Sequence, residues 1–185
     1  MNLTAKKRAK DTKAQINQIR REGNIPAVFY APQSPAVSIE VEGAQFEAAL
    51  RHIPKGRLAT TVFTLKVDGK TTKAIVKDIQ YDVTTYNVIH LDFEELKEGV
   101  PVRINVPIEC TGMEECVGIK QGGALRQIIR SVRVECLPGD IPREFFIDIR
   151  ELSMRQSKKL SALEMPKGVR ALAKADEVVA VIAKR

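Results

Sequence analysis

Apolar and polar residues alternate along most of this chain, and period-two alternation over four to eight residues marks a strand with one buried face. Residues 36–41 (AVSIEV) and 60–67 (TTVFTLKV) show it plainly. Residues 3–9, 25–30 (IPAVFY), 70–79 and 87–93 (NVIHLDF) fit the same reading. Asp68-Gly69 joins two alternating runs, and Asp-Gly is the turn dipeptide of a two-residue hairpin. Two stretches break the rhythm with helical spacing. From residues 11–12 to 22, Ile16 and Ile19 share one face while Lys13, Asn17, Arg20 and Arg21 share the other. Asp11 or Thr12 caps its start and Gly23 ends it. Residues 43–53 place Phe46, Ala49, Leu50 and Ile53 on one face. Five or six short strands with two helices suit a small, partly closed barrel. Its expected core is Val28, Ile39, Val41, Phe63, Leu65, Ile75, Val76, Ile79, Ile89 and Leu91.

The charged run ELKEG (95–99) interrupts the pattern and divides the chain into expected domains 1–96 and 97–185. The second half is again β in pattern. Residues 100–110 alternate, with Pro101 and Pro107 pointing to an edge strand. Residues 112–123 form a Gly-rich loop, a structural turn lacking the G-K-[ST] of a phosphate loop. Residues 124–137 continue as strand, 138–142 turn, and 144–149 and 177–183 complete the set. The fold class is mainly β with a few short helices: an N-terminal barrel and a C-terminal β-rich domain.

Charge changes the picture. The chain carries a formal +7. Its first thirty residues hold seven cations (Lys6, Lys7, Arg8, Lys10, Lys13, Arg20, Arg21) against Asp11 and Glu22, a net +5. Positive charge gathered beside a few polar groups on a β scaffold fits an anionic, structured partner. Aromatics are only 5%, with no Trp, which argues against a base-stacking platform for single strands. No apolar signal segment opens the chain and no run reaches the length of a membrane span. Cys110, Cys116 and Cys136 lack C-x-x-C spacing, and His52 and His90 lie far from them. Three reduced thiols in a cytoplasmic protein are expected, with no metal site and no cofactor.

No G-x-S-x-G, H-E-x-x-H, Walker or dinucleotide motif is present, so an enzyme is not expected. His90 and Asp92, two apart on a strand, project to one face. The pair could orient an imidazole for base catalysis, but no nucleophile stands near it in sequence. RNA gives it a better use. A carboxylate amid phosphates needs a donor partner, and the exocyclic amine of guanine in a minor groove is one. The wide, shallow minor groove of A-form RNA exposes it beside the 2′-hydroxyl. His90 would meet sugar or phosphate, Gln80 a base edge, and Tyr30 the backbone or a sugar. Arg8, Lys13, Arg20 and Arg21 would hold phosphates and set register.

The ordered motifs carry a resemblance. They are Leu3-Thr4-Ala5-Lys6-x-Arg8, Arg20-x-x-Gly23-x-Ile25-Pro26-Ala27-Val28-x-Tyr30 and His90-x-Asp92-Phe93. In the second half Val106-Pro107-Ile108, Gly118-x-Lys120-x-Gly122-Gly123, Pro138-x-x-Ile141-Pro142 and Asp148-Ile149-x-x-Leu152 follow. Over nearly its whole length the chain resembles the bacterial 5S-rRNA-binding ribosomal proteins of the long Ctc (general stress protein) type, the family of large-subunit protein twenty-five. The resemblance implies a six-stranded N-terminal barrel similar to the anticodon-binding domain of glutaminyl-tRNA synthetase. It implies binding to the loop E region of 5S rRNA, through a widened minor groove with bound magnesium, at the central protuberance of the large subunit. It assigns Arg8, Lys13, Arg20, Tyr30, Gln80, His90 and Asp92 to the RNA. Short members lack the C-terminal domain, so that domain is expected on neighbouring ribosomal elements, not on 5S rRNA. Asn17 stands where many relatives carry a cation, and Ala31 replaces a glycine after the tyrosine. The competing readings are a stress-linked or assembly factor that visits the ribosome, and a hydrolase built on His90 and Asp92. Neither a membrane nor a small-molecule substrate is expected as a partner.

Overall fold

The structure, a computed structural model, describes residues 1–8, 12–31, 34–67 and 69–184. They divide into two compact units, Met1–Val100 and Pro101–Arg185. The first contains β1 (Asn2–Lys7), α1 (Lys13–Arg21), β2 (Asn24–Tyr30), β3 (Val37–Glu42) and α2 (Gly43–His52). After a 3₁₀ turn (Leu58–Thr60) come β4 (Val62–Val67), β5 (Lys70–Tyr81) and β6 (Val88–Glu95). The strands close in the order β1-β3-β2-β6-β5-β4. β1 makes the closure: it runs antiparallel to β3 on one side and parallel to β4 on the other. The barrel is therefore closed, not partly open, and every one of these strands has a neighbour on both sides.

Alternation decides what fills it. Leu3, Ala5, Ile25, Ala27, Ile39, Val41, Phe63, Leu65, Ala74, Val76, Leu91 and Phe93 line the interior and are buried. Phe46 of α2 joins them with no exposed surface and plugs the barrel. Its ring centroid lies 6.1 Å from that of Phe63, which meets Phe93 edge-on at 6.3 Å. The expected core needs three corrections. Val28 alternates with Ala27 onto the outside of β2 and stays half-buried. Ile75 is fully buried but outside the barrel's core cluster, because it faces outward and the 3₁₀ turn packs on β5. Ile89 is half-buried and outside the cluster, because the ladder slips there and Tyr81 pairs with Val88 instead. Gly43 is required by close approach: a Cβ there would collide with the carbonyl oxygen of Gly23. The β4–β5 turn keeps Val67 opposite Lys70, with Gly69 at φ 82. Ala9, Lys10, Asp11 and Asp68 lie outside the described residues.

The second unit contains β7 (Val102–Thr111), α3 (Val117–Lys120), β8 (Gly123–Gln127), β9 (Ser131–Cys136) and β10 (Phe145–Asp148). β11 (Ser157–Lys159), β12 (Arg170–Ala171) and β13 (Val178–Lys184) complete it. They form a four-stranded sheet, β10-β7-β9-β12, and a three-stranded sheet, β11-β13-β8. Three expectations change. β7 is an inner strand despite its prolines, because Pro101 precedes it and Pro107 sits where the ladder to β10 has not begun, at Ile108. The Gly-rich stretch holds one helical turn, α3. Residues 124–137 are two strands in different sheets, separated at 128–130. The three cysteines are free thiols.

Candidate nucleic-acid interface

Three strands present the predicted residues. On β6, Leu91 and Phe93 are fully buried, so His90, Asp92 and Glu94 face outward. On β5 the register slips between Val76 and Asp78, a bulge that takes up Lys77. The slip turns Asp78 and Gln80 outward, opposite Asp92 and His90 respectively. On β2, Val28 lies opposite Asp92 and Tyr30 opposite Glu94. Tyr30, Gln80, His90 and Asp92 thus come together on one outer face.

His90 Nδ1 lies 2.9 Å from Asp92 Oδ1. The contact pairs Nδ1 with one carboxylate oxygen and leaves Nε2 and the second oxygen to an incoming ligand. Lys77 Nζ holds Glu94 Oε2 at 2.7 Å. Burial, and then the carboxylates Glu94, Asp92 and Asp78, push the Tyr30 phenol above its ordinary pKa. Its hydroxyl is therefore a proton donor throughout the neutral range.

Helix α1 stands beside this face. Thr12 starts it, donating its N–H (2.8 Å) and hydroxyl (2.9 Å) to Gln15 Oε1. Ile16 and Ile19 are its half-buried positions, and it packs against β2, where outward-facing Pro26 is nevertheless buried. Arg20 ties its last turn to the site: Nε and Nη2 both donate to the Ile89 carbonyl, at 3.2 and 3.1 Å, one residue before His90. Arg20 is thus a positioning residue as well as a charge, which spacing alone does not disclose. Arg21 and Lys13 are exposed. Arg21 sits in the last turn, where a cation suits the helix dipole, whereas Lys13 opens the helix, where a cation opposes it. Lys13 therefore does nothing for the helix itself.

Arg8 lies further round the barrel. Its backbone N–H donates to the Ser38 carbonyl and its Nε to the Ile39 carbonyl, at 3.1 and 3.0 Å. Ser38 is opposite Val28, which is opposite Asp92, so Arg8 and Asp92 share one row, three strand spacings or ~14 Å apart. Ala31 is buried and its φ is not positive, so the chain leaves β2 without the left-handed residue a glycine would supply. Asn17 is exposed on α1. Below the face, Asp82 Oδ1 accepts from the Thr84 hydroxyl and from the Thr84 and Thr85 amides, at 2.6 to 2.9 Å. These bonds hold its carboxyl well below the usual range and order the β5–β6 loop.

The centre of the face is not the basic surface that the N-terminal charge suggests. Asp78 and Asp92 make its middle acidic, and Lys77 among them is paired with Glu94. The sequence reading also passes over a second concentration of charge. Residues 48–77 hold Arg51, Lys55, Arg57, Lys66, Lys70, Lys73 and Lys77 against Asp68 alone, a net +6. A charge tally by segment would have found it.

A closed barrel with hydrogen-bonding groups on an open outer face, flanked by cations, is the build of a protein that docks on structured RNA. Two family models match, the Ribosomal L25p family over residues 3–93 and the C-terminal domain of ribosomal protein TL5 over residues 101–185. Relatives described as large ribosomal subunit protein bL25 are similar to the chain over the full 185 residues of both proteins. Those of Chlamydia trachomatis serovar L2, Chlamydia muridarum and Chlamydia pneumoniae are 46%, 44% and 42% identical to it. The chain belongs to the ribosomal L25p family. It is a structural protein of the large ribosomal subunit, a partner of ribosomal RNA, and not an enzyme. Its compartment is the cytoplasm, where bacterial ribosomes are, and no helix among the described residues is long and apolar enough to cross a membrane.

Proposed function

We propose that the N-terminal barrel binds 5S rRNA in its loop E region, at the central protuberance, and that 1–96 is the binding domain. The observation that carries this reading is the row of outward groups on β5 and β6, Gln80, His90 and Asp92, with α1 anchored beside them through Arg20 and Ile89. Asp92 accepts from a guanine amine in the minor groove, His90 orients that carboxylate and meets the sugar, and Gln80 reaches a neighbouring base edge. Lys13, Arg20 and Arg21 meet phosphates on one side, and Arg8 does so further along the row. Tyr30 gives its hydroxyl to the backbone. The C-terminal domain, 97–185, contacts neighbouring ribosomal elements.

Filter binding of the full chain to 5S rRNA, with transfer RNA as competitor at two salt concentrations, tests the reading. Binding should survive the competitor, and log affinity should fall with log salt at a slope of about −3 to −4 if about four cations reach phosphates. Equal competition by transfer RNA would remove the 5S assignment.

A further inference from the structure

The second charge concentration lies on the other side of the β6 face from α1. After α2 the chain passes through residues 53–57 into the 3₁₀ turn Leu58–Thr60, which packs on β5. The Thr60 and Thr61 hydroxyls donate to the Arg57 carbonyl at 3.1 and 2.7 Å and fix this segment. Ile75, beneath the turn, is opposite Glu94 of β6, so the segment borders the same face that α1 borders from β2. Lys73 of β5 is exposed there, and Arg51, at the end of α2, and Lys55 are exposed in the segment that leads into the turn.

The barrel therefore carries three bands in strand order: cations on α1, the carboxylates Asp78 and Asp92 on β5 and β6 beside the Lys77–Glu94 pair, and cations again on residues 51–57 and Lys73. A duplex laid across β6 with its minor groove inward has the same arrangement in opposite charge. Its phosphates run along two rims, and the base edges between them offer amine donors that carboxylates accept. A phosphate placed over Asp78 and Asp92 would be repelled, which forces the two backbones outward to the flanks.

We infer that Arg51, Lys55 and Lys73 form a second phosphate-binding flank, which holds the strand of duplex RNA opposite the one held by α1. The inference deepens the reading above and rests on it for the orientation of the RNA. The test uses the full chain carrying Arg51→Gln, Lys55→Gln and Lys73→Gln together, with Lys66→Gln plus Lys70→Gln as a control. The control removes exposed charge from β4 and from the hairpin end of β5. All these side chains are exposed, so circular dichroism and the urea midpoint should match the parent in both variants. Binding to 5S rRNA is measured over a series of salt concentrations, and again with a single-stranded RNA of equal length. With the second flank engaged the parent slope should steepen to about −6, seven contacts at about 0.9 each, and the triple variant should lose roughly tenfold or more in affinity for 5S rRNA and return the slope to about −3 to −4, a loss of about two to three. The control should lose less than one, and the single strand should not separate the variants. A triple-variant slope within half a unit of the parent, or equal losses in both variants, would overturn the second flank. Failure of the 5S assignment reads out differently, as a parent protein that transfer RNA competes away. The comparison of slopes on any duplex then still decides the flank.

Discussion

Asp92→Asn separates base reading from simple electrostatics. In the parent, one carboxylate oxygen lies 2.9 Å from His90 Nδ1. The substituted amide keeps an oxygen for that contact with His90. The second oxygen, which should accept from a guanine amine, becomes an NH₂ group, a donor facing a donor. A base-edge contact of this kind is worth about 1–3 kcal/mol of discrimination, or roughly 5- to 150-fold. The change also removes one of the three carboxylates Asp78, Asp92 and Glu94 from the centre of the face. Repulsion of any RNA backbone falls, so affinity for unrelated RNA should rise a few fold. Specificity is therefore lost from both ends. The sharpest assay pairs the variant with 5S rRNA whose loop E guanines are replaced by inosine, which lacks the exocyclic amine. Parent protein should lose affinity on inosine substitution, and Asp92→Asn protein should be indifferent to it. Simple addition of the two losses would refute the contact.

Other changes probe the support beneath this face. Arg20→Lys keeps the charge but loses the two-pronged hold on the Ile89 carbonyl. It should cost about 1 kcal/mol in binding with the salt slope unchanged, and parent-like affinity would make Arg20 a charge only. Phe46→Ala empties the plug of the barrel and should cost about 3–5 kcal/mol by urea denaturation, whereas a loss below about 1 kcal/mol would mean that α2 does not seal the core. Tyr30 has a folded-state pKa above its unfolded value near 10, so the protonated form is the one folding favours. The parent should lose stability as pH rises from about 10 through the folded pKa, and Tyr30→Phe should lose less. Equal drops in urea midpoint for the two proteins between neutral and strongly alkaline pH would contradict the burial of that phenol.

How the site is assembled was only partly legible along the chain. His90 and Asp92 share a face by simple alternation, and their 2.9 Å contact follows from that spacing. Gln80 joins them because a bulge at Lys77 shifts the phase of β5, and nothing near Lys77 in the sequence marks a bulge. Arg20 looked like one more phosphate ligand on a helix face. Its bond to a carbonyl 69 positions away depends on where α1 lands on the barrel. The prolines of β7 suggested an edge, yet ladder positions set by two other strands leave room for Pro107.

Local periodicity determined the strands, the two helices and the hairpin at Gly69, because each depends on backbone preferences within a few residues. The ordered motifs determined the family. Closure of the barrel, the outward turn of Val28 and Ile75, and the alternation of basic and acidic bands came only from the tertiary structure. They depend on which strands become neighbours, and pairing between residues far apart in sequence is set by the packing of the whole core, not by any local pattern.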